Sequence, residues 1–156
     1  MAITFPSWYE GGFEDMELVV KTILDKHLVG GSPVGVYAWL PEDWRAEMPL
    51  VAIARDPSGV EEDDQHDEGQ VQVWCLAASR ADAWALAEFV RQVMKAYKRG
   101  VVEVDGRSVP VSIRRAEGPS LSMDEDAFGE RIVPLSFVVR TRARASLPDY
   151  EEILSS

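Results

Sequence analysis

The chain has 156 residues, 46% of them hydrophobic and 28% charged, and its formal net charge at pH 7 is -11. A chain of this length buries a core without a disulfide, and the single cysteine, Cys75, cannot form an internal one. General nucleic-acid binding is disfavoured, because phosphate recognition depends on clustered Lys and Arg. No stretch approaches the length needed to cross a bilayer, so the sequence predicts a soluble protein. We expect one domain, residues 1–156, with an N-terminal arm at 1–12 and a C-terminal tail at 145–156.

The first half of the chain predicts one helix followed by two strands. Apolar residues recur at helical spacing from Phe13 to His27, before two consecutive glycines. Residues 34–40 and 50–55 are predicted strands. The segment PEDWRAEMP lies between them, and its two prolines exclude continuous regular structure.

Residues 70–97 predict a strand that passes almost directly into a capped helix. Alternating residues from Val71 to Ala77 would share one face of the strand. The hydroxyl of Ser79 can accept a bond from a free N–H group of the helix, and Asp82 places a carboxylate in the first turn. We expect Gly100 to be the C-cap.

Three further strands are predicted after this helix. Asp105-Gly106 indicates a tight hairpin between residues 101–104 and 107–115, and Pro110 indicates an edge strand. A polar loop precedes the last strand, residues 131–143. The fold class is therefore α+β, with a mainly antiparallel sheet packed with two main helices in the order α-β-β-β-α-β-β-β.

Candidate chemical groups do not assemble into a catalytic, metal or cofactor site. His66 lies in an acidic segment without repeated ligand spacing, and His27 is expected to be a hydrogen-bonded residue at a helix end. Cys75 and Ser79 have no glycine-rich elbow and no identifiable His partner. DEDAFGE, residues 124–130, begins like a calcium loop but lacks two key ligands. We expect a protein that is not an enzyme and needs no cofactor.

Opposite charges are concentrated on separate segments. Residues 56–69 carry seven carboxylates and no Lys or Arg, and we interpret them as a solvated acidic loop; residues 131–144 carry four arginines and no acid. Three of these arginines alternate on one face of the last strand, which is either a solvated face or an interface. We predict head-to-tail contact between neighbouring copies. The predicted interface residues are Arg140, Arg142 and Arg144, facing Glu61, Glu62, Asp63 and Asp64 of the next copy.

The order of elements from Phe13 to Ala145 resembles the tail terminator proteins of long-tailed, siphovirus-type bacteriophages, especially those infecting actinobacteria. The segments that carry the resemblance are QVQVWCLAASRADAWALAEFVRQVM, the Asp105-Gly106 hairpin and the closing strand LSFVVRTRA. The resemblance implies a structural virion protein with an α+β sandwich fold. It also implies a homohexamer ring that caps the tail tube, contacts the major tail tube protein and joins the head connector. DNA would pass through the opening without specific binding, and the ring would lie at the tail-head junction after assembly in the host cytoplasm.

Two alternatives stay open at this point. Another ring-forming head-to-tail connector or a tail tube protein would show similar patterns. A small cytoplasmic enzyme or ligand-binding domain would instead show a deep apolar pocket with convergent polar groups.

Overall fold

The computed structural model describes residues 2–28, 33–62, 65–118, 132–143 and 147–156, with only the backbone described at 58–62. Four helices and six strands lie in these ranges. In chain order they are α1 (Met16–Leu28), β1 (Gly35–Ala38), α2 (Trp44–Glu47), β2 (Leu50–Glu62), β3 (His66–Leu76), α3 (Arg80–Ala96), β4 (Gly100–Val104), β5 (Arg107–Glu117), β6 (Ile132–Arg142) and α4 (Tyr150–Ser155).

The six strands form one mixed sheet in the order β1-β2-β3-β6-β5-β4. The predicted α+β class and the order of the main elements are confirmed. The short helices α2 and α4 were not predicted. β1 and β2 are parallel, whereas all other neighbouring strands are antiparallel. Two parallel neighbours need a connection that returns the chain to the end of the sheet where the first strand began. The connection between β1 and β2, which includes α2, is long enough to do this.

Both long helices pack on the same face of the sheet, which we call the inner face. α1 contacts β1, β2 and β4, while α3 contacts β3, β5 and β6. Alternate residues of β3 and β6 are buried beneath them, as the period-2 pattern predicts. The core between sheet and helices includes Ile23, Val73, Met94 and Phe137, none of which is measurably exposed.

Helix α3 begins as the sequence predicts and ends differently. The Ser79 hydroxyl accepts a 3.2 Å bond from the backbone N–H of Asp82, so this N-cap is confirmed. The predicted C-cap at Gly100 is wrong. The helix ends at Ala96 with Tyr97 as its cap, and Gly100 is the first residue of β4. A Cβ atom at Gly100 would lie 3.0 Å from Cδ1 of Tyr97. The close approach of the Tyr97 ring therefore explains why this position is a glycine.

The hairpin of β4 and β5 turns at Asp105-Gly106, where both residues have positive φ angles of 49° and 75°. This confirms the predicted turn, whose geometry favours Asp-Gly. The edge position predicted for β5 is wrong, since β5 pairs with both β4 and β6. Pairing with β6 begins at Val111, so Pro110 has a strand partner only on its β4 side. The missing N–H of proline is tolerated at this local edge.

The acidic segment at residues 56–69 is not a loop over its described length. β2 extends to Glu62 and β3 begins at His66, so most of the segment lies in a long β-hairpin, which we call the acidic hairpin. Its base is held by Arg55, whose guanidinium binds the Asp67 carboxylate through two bonds of 2.7 Å. The segment itself has no Lys or Arg, and the arginines that bind Asp67 and Glu68 lie outside it on β2, β5 and β6.

The two ends of the described chain contact each other. The Tyr150 hydroxyl donates a 2.6 Å bond to the Gly11 carbonyl and accepts a 3.0 Å bond from the Glu10 N–H. The Tyr150 ring stacks on Tyr9 at a centroid distance of 5.7 Å and lies edge-on to Trp8. The N-terminal arm is therefore ordered against α4.

Within the described ranges, no helix combines the length and apolar character needed to cross a bilayer. The calcium-like segment at residues 124–130 lies outside the described residues.

Candidate interaction surface

The outer face of the sheet, opposite α1 and α3, is divided into an apolar end and a charged end. At the apolar end, Leu50, Ala52 and Leu76 are buried beneath a cover that includes Trp44 of α2 and Trp74. Toward the other end of β3 and β6 the outward side chains become polar. Gln70, for example, donates a hydrogen bond of 2.5 Å to the Ser136 hydroxyl. The charged end lies beyond this polar strip.

The predicted arginine ladder lies on this outer face. Arg140 is partly buried and Arg142 is exposed, while Val139 and Thr141 between them are buried on the inner face. The alternation predicted for Arg140 and Arg142 is therefore confirmed. Arg144 lies outside the described residues.

The predicted acidic partners lie on or near the acidic hairpin. The backbone of Glu61 pairs with Glu68, and that of Glu62 pairs with Asp67. Asp63 and Asp64 lie outside the described residues. The acidic and arginine elements are neighbours in one sheet, because β3 pairs with β6 along its whole length from His66–Arg142 to Leu76–Ile132.

Strand β5 contributes a further arginine to the charged end. The register between β5 and β6 shifts between Ile113 and Arg115, so Arg114 is an extra residue in a β-bulge. Arg114 and Arg115 are consequently both exposed, although they are consecutive. Nη1 of Arg114 lies 3.3 Å from Oε2 of Glu68 on β3.

The connection between α3 and β4 contributes two more cations. Two hydrogen bonds hold this connection against β5: the Ile113 N–H donates to the Tyr97 carbonyl at 3.1 Å, and the Ser112 hydroxyl donates to the Lys98 carbonyl at 3.0 Å. Lys98 and Arg99 are exposed beside the strand. No carboxylate of the described residues forms an ion pair with either side chain.

These side chains line one open groove of about 550 Å³, which we call the cationic groove. His66 of β3 is part of the lining. The positively charged residues of the groove lie near the same end of β5 and β6. They are Lys98, Arg99, Arg114, Arg140 and Arg142. Five cations around one groove, in a chain of net charge -11, create a local field opposite to that of the whole molecule. The groove is suited to binding anionic groups.

One carboxylate of the same chain lies beside the cationic groove. Oε2 of Glu68 is 3.3 Å from Nη1 of Arg114 and 4.0 Å from Nε of Arg140. Glu68 and Arg140 are directly opposite in the pairing of β3 with β6. Both ion pairs are partly exposed, so each contributes only a few tenths of a kcal/mol to about 1 kcal/mol.

Sequence reasoning found two of the five cations and missed Lys98, Arg99 and Arg114. Lys98 and Arg99 follow the end of α3, where no site was predicted, and Arg114 was placed only within the predicted strand 107–115. The alternation of Ser112 with Arg114 was a usable signal, but the pairing of β5 with β6 was needed to place it beside Arg140. A pattern along one strand does not identify the neighbouring strand.

Among the described residues, Cys75 and His27 occupy environments that burial and hydrogen bonding explain. Burial raises the pKa of the Cys75 thiol to about 12, so the thiol is protonated at neutral pH. Nε2 of His27 lies 2.8 Å from the Tyr97 hydroxyl, which confirms a hydrogen-bonded histidine at a helix end. In the described part of the chain, no three His, Cys, Asp or Glu side chains are grouped to hold a metal ion.

Comparison with known proteins gives one family. Residues 12–148 match the family described as phage tail termination protein. No curated protein matches the chain.

Proposed function

Because the chain belongs to the phage tail termination protein family and is a structural protein of a phage tail, we propose that it caps the completed tail tube as a homohexamer ring. The exposed surface of the ring joins the head connector, and its opposite surface rests on the major tail tube protein. The resemblance to proteins of actinobacterial phages makes an actinobacterial host the expected one.

The observation that supports a ring most directly is the separation of charge within one chain. The acidic hairpin carries seven carboxylates, and the cationic groove beside its base presents five cations from other segments of the chain. Two different complementary surfaces favour head-to-tail association, in which each copy offers one surface to the next and the contacts close into a ring. Arg140, Arg142 and Arg144 are the proposed contact residues on one side, with Glu61, Glu62, Asp63 and Asp64 on the other.

The net charge also suits a ring through which DNA passes. A charge of -11 per copy produces a field that repels the phosphate backbone, so DNA crosses the opening without specific binding. The function needs no catalytic group or cofactor. The protein assembles in the host cytoplasm and is carried in the virion at the tail-head junction.

Inactivation of the gene tests this function. Lysates should contain filled heads and unjoined tails of abnormal length, and the wild-type gene supplied from a plasmid should restore joined particles. Electron microscopy and plaque counts measure both outcomes. Normal infectious particles without the gene would overturn the proposal.

A further inference from the structure

Three cations of the cationic groove carry no carboxylate partner within the described residues. They are Lys98, Arg99 and Arg142. All three are exposed, and they come from two segments that the fold brings together: the α3–β4 connection for Lys98 and Arg99, and β6 for Arg142. Like charges at one site repel each other, and an anionic ligand relieves that repulsion. The groove therefore has capacity for several carboxylates beyond those of its own chain.

Glu68 shows which anion the groove accepts. Its carboxylate contacts Arg114 at 3.3 Å and Arg140 at 4.0 Å, so two of the five cations already bind a carboxylate from the base of the acidic hairpin. Arginine binds carboxylates through paired N–H groups, which gives such contacts a defined geometry. A second carboxylate-rich segment could bind the three cations that Glu68 does not reach.

We propose that the cationic groove is the binding site for the acidic hairpin of a second copy of this chain, with Lys98, Arg99 and Arg142 as its main cations. Glu68 acts as an internal placeholder that partly neutralises the groove before the second copy binds. This inference rests on the proposed function, since it assigns the contact that would close the ring.

Charge complementarity favours a second copy over nucleic acid as the occupant. Residues 56–69 place seven carboxylates in fourteen residues. Asp67 and Glu68 bind arginines of their own chain, and the other five give every copy an acidic segment that matches the groove in charge. DNA would instead bring a continuous row of phosphates against a molecule of net charge -11 and past the Glu68 carboxylate beside the groove.

A labelled synthetic peptide of residues 56–69 tests the assignment, with binding to the full-length protein followed by fluorescence anisotropy at low and high salt. The triple variant K98A/R99A/R142A should weaken binding roughly tenfold or more, because three charge contacts are lost. The control variant K26A/R80A/R91A removes the same charge from α1 and α3 and should leave binding nearly unchanged. Glu68→Gln should tighten binding several-fold.

Three results would overturn the assignment of the cationic groove. Equal peptide binding by both triple variants would overturn it, and so would tighter binding of a duplex DNA oligonucleotide that only the groove variant loses. If the purified protein is already a ring, K98A/R99A/R142A should dissociate it to monomers, and an intact ring would overturn the assignment.

The peptide experiment and gene inactivation distinguish a failure of the groove assignment from a failure of the proposed function. Peptide binding through the groove, together with normal tails after gene inactivation, would leave the groove assignment standing and overturn only the proposed function.

Discussion

Asp67 and Arg55 form the ion pair that anchors the base of the acidic hairpin. The Asp67 side chain is 3% exposed and that of Arg55 is 26% exposed, so the pair is largely removed from water. Gly69 makes room for it, because a Cβ atom there would lie 2.8 Å from Nε of Arg55. Removing one partner of a buried pair leaves an uncompensated charge.

Asp67→Asn should therefore lower the free energy of unfolding by about 2–3 kcal/mol, somewhat below the cost for a fully buried pair because Arg55 is partly exposed. Glu117→Gln is the control, since its pair with Arg115 lies at the surface and the change should stay within about 0.5 kcal/mol. Urea unfolding measures both variants. Equal stability of the two variants would show that the anchor contributes little.

The Cys75 thiol makes stability depend on pH in alkaline solution. Its pKa is raised by burial from 9.0 to about 12, so the unfolded thiol ionises first and the folded state retains its proton. Stability should fall as pH rises from about 9 toward 12, by at most about 1.4 kcal/mol per pH unit from this group. Cys75→Ala should remove this part of the slope. Rapid reaction of the native protein with a thiol reagent at pH 8 would contradict the assignment.

At the scale of the elements, patterns within one segment were predictable from the sequence and pairing between segments was not. The start of α3 at Ser79 and the Asp105-Gly106 turn depend on local hydrogen bonds and φ angles, and both were predicted correctly. The acidic hairpin was predicted as a solvated loop because residues 56–69 combine seven like charges with almost no apolar side chains. Arg55 of β2, Arg114 of β5 and Arg140 of β6 bind two of its carboxylates, and no local pattern shows this.

The N-cap of α3 gives a direct test at this scale. Ser79→Ala removes the acceptor for the Asp82 N–H and should lower the free energy of unfolding by about 1 kcal/mol. Ser7→Ala is the control, because the Ser7 side chain is exposed and makes no hydrogen bond within the described residues. Thermal unfolding followed by circular dichroism compares the two. A shift no larger than that of the control would contradict this role of Ser79.

For the whole molecule, the arginine ladder was the part of the candidate site that the sequence could predict. Alternation along β6 places Arg140 and Arg142 on one face without further information. The other three cations come from a bulge and a helix-to-strand connection, whose positions depend on the order of strands in the sheet. The sequence thus indicated the charge of the surface and part of its location, and the fold was needed to define the groove.

Substitution of the ladder tests its role in assembly. Changing Arg140, Arg142 and Arg144 together to Glu should weaken ring formation strongly, because the loss of about 0.2–1 kcal/mol per exposed contact is repeated at every interface of the ring. Folding should survive, since the described ladder residues lie on the outer face. Light scattering and thermal unfolding measure the two properties. Unchanged assembly would show a solvated face, and loss of folding would show a role within the monomer.

The position of the protein in the virion tests the central claim most directly. Gold-labelled antibody against the protein, applied to purified particles and viewed by negative-stain electron microscopy, shows where it lies. A ring that terminates the tail predicts label confined to the junction of head and tail. Label along the tail shaft, at the distal tip or absent from tailed particles would contradict the account.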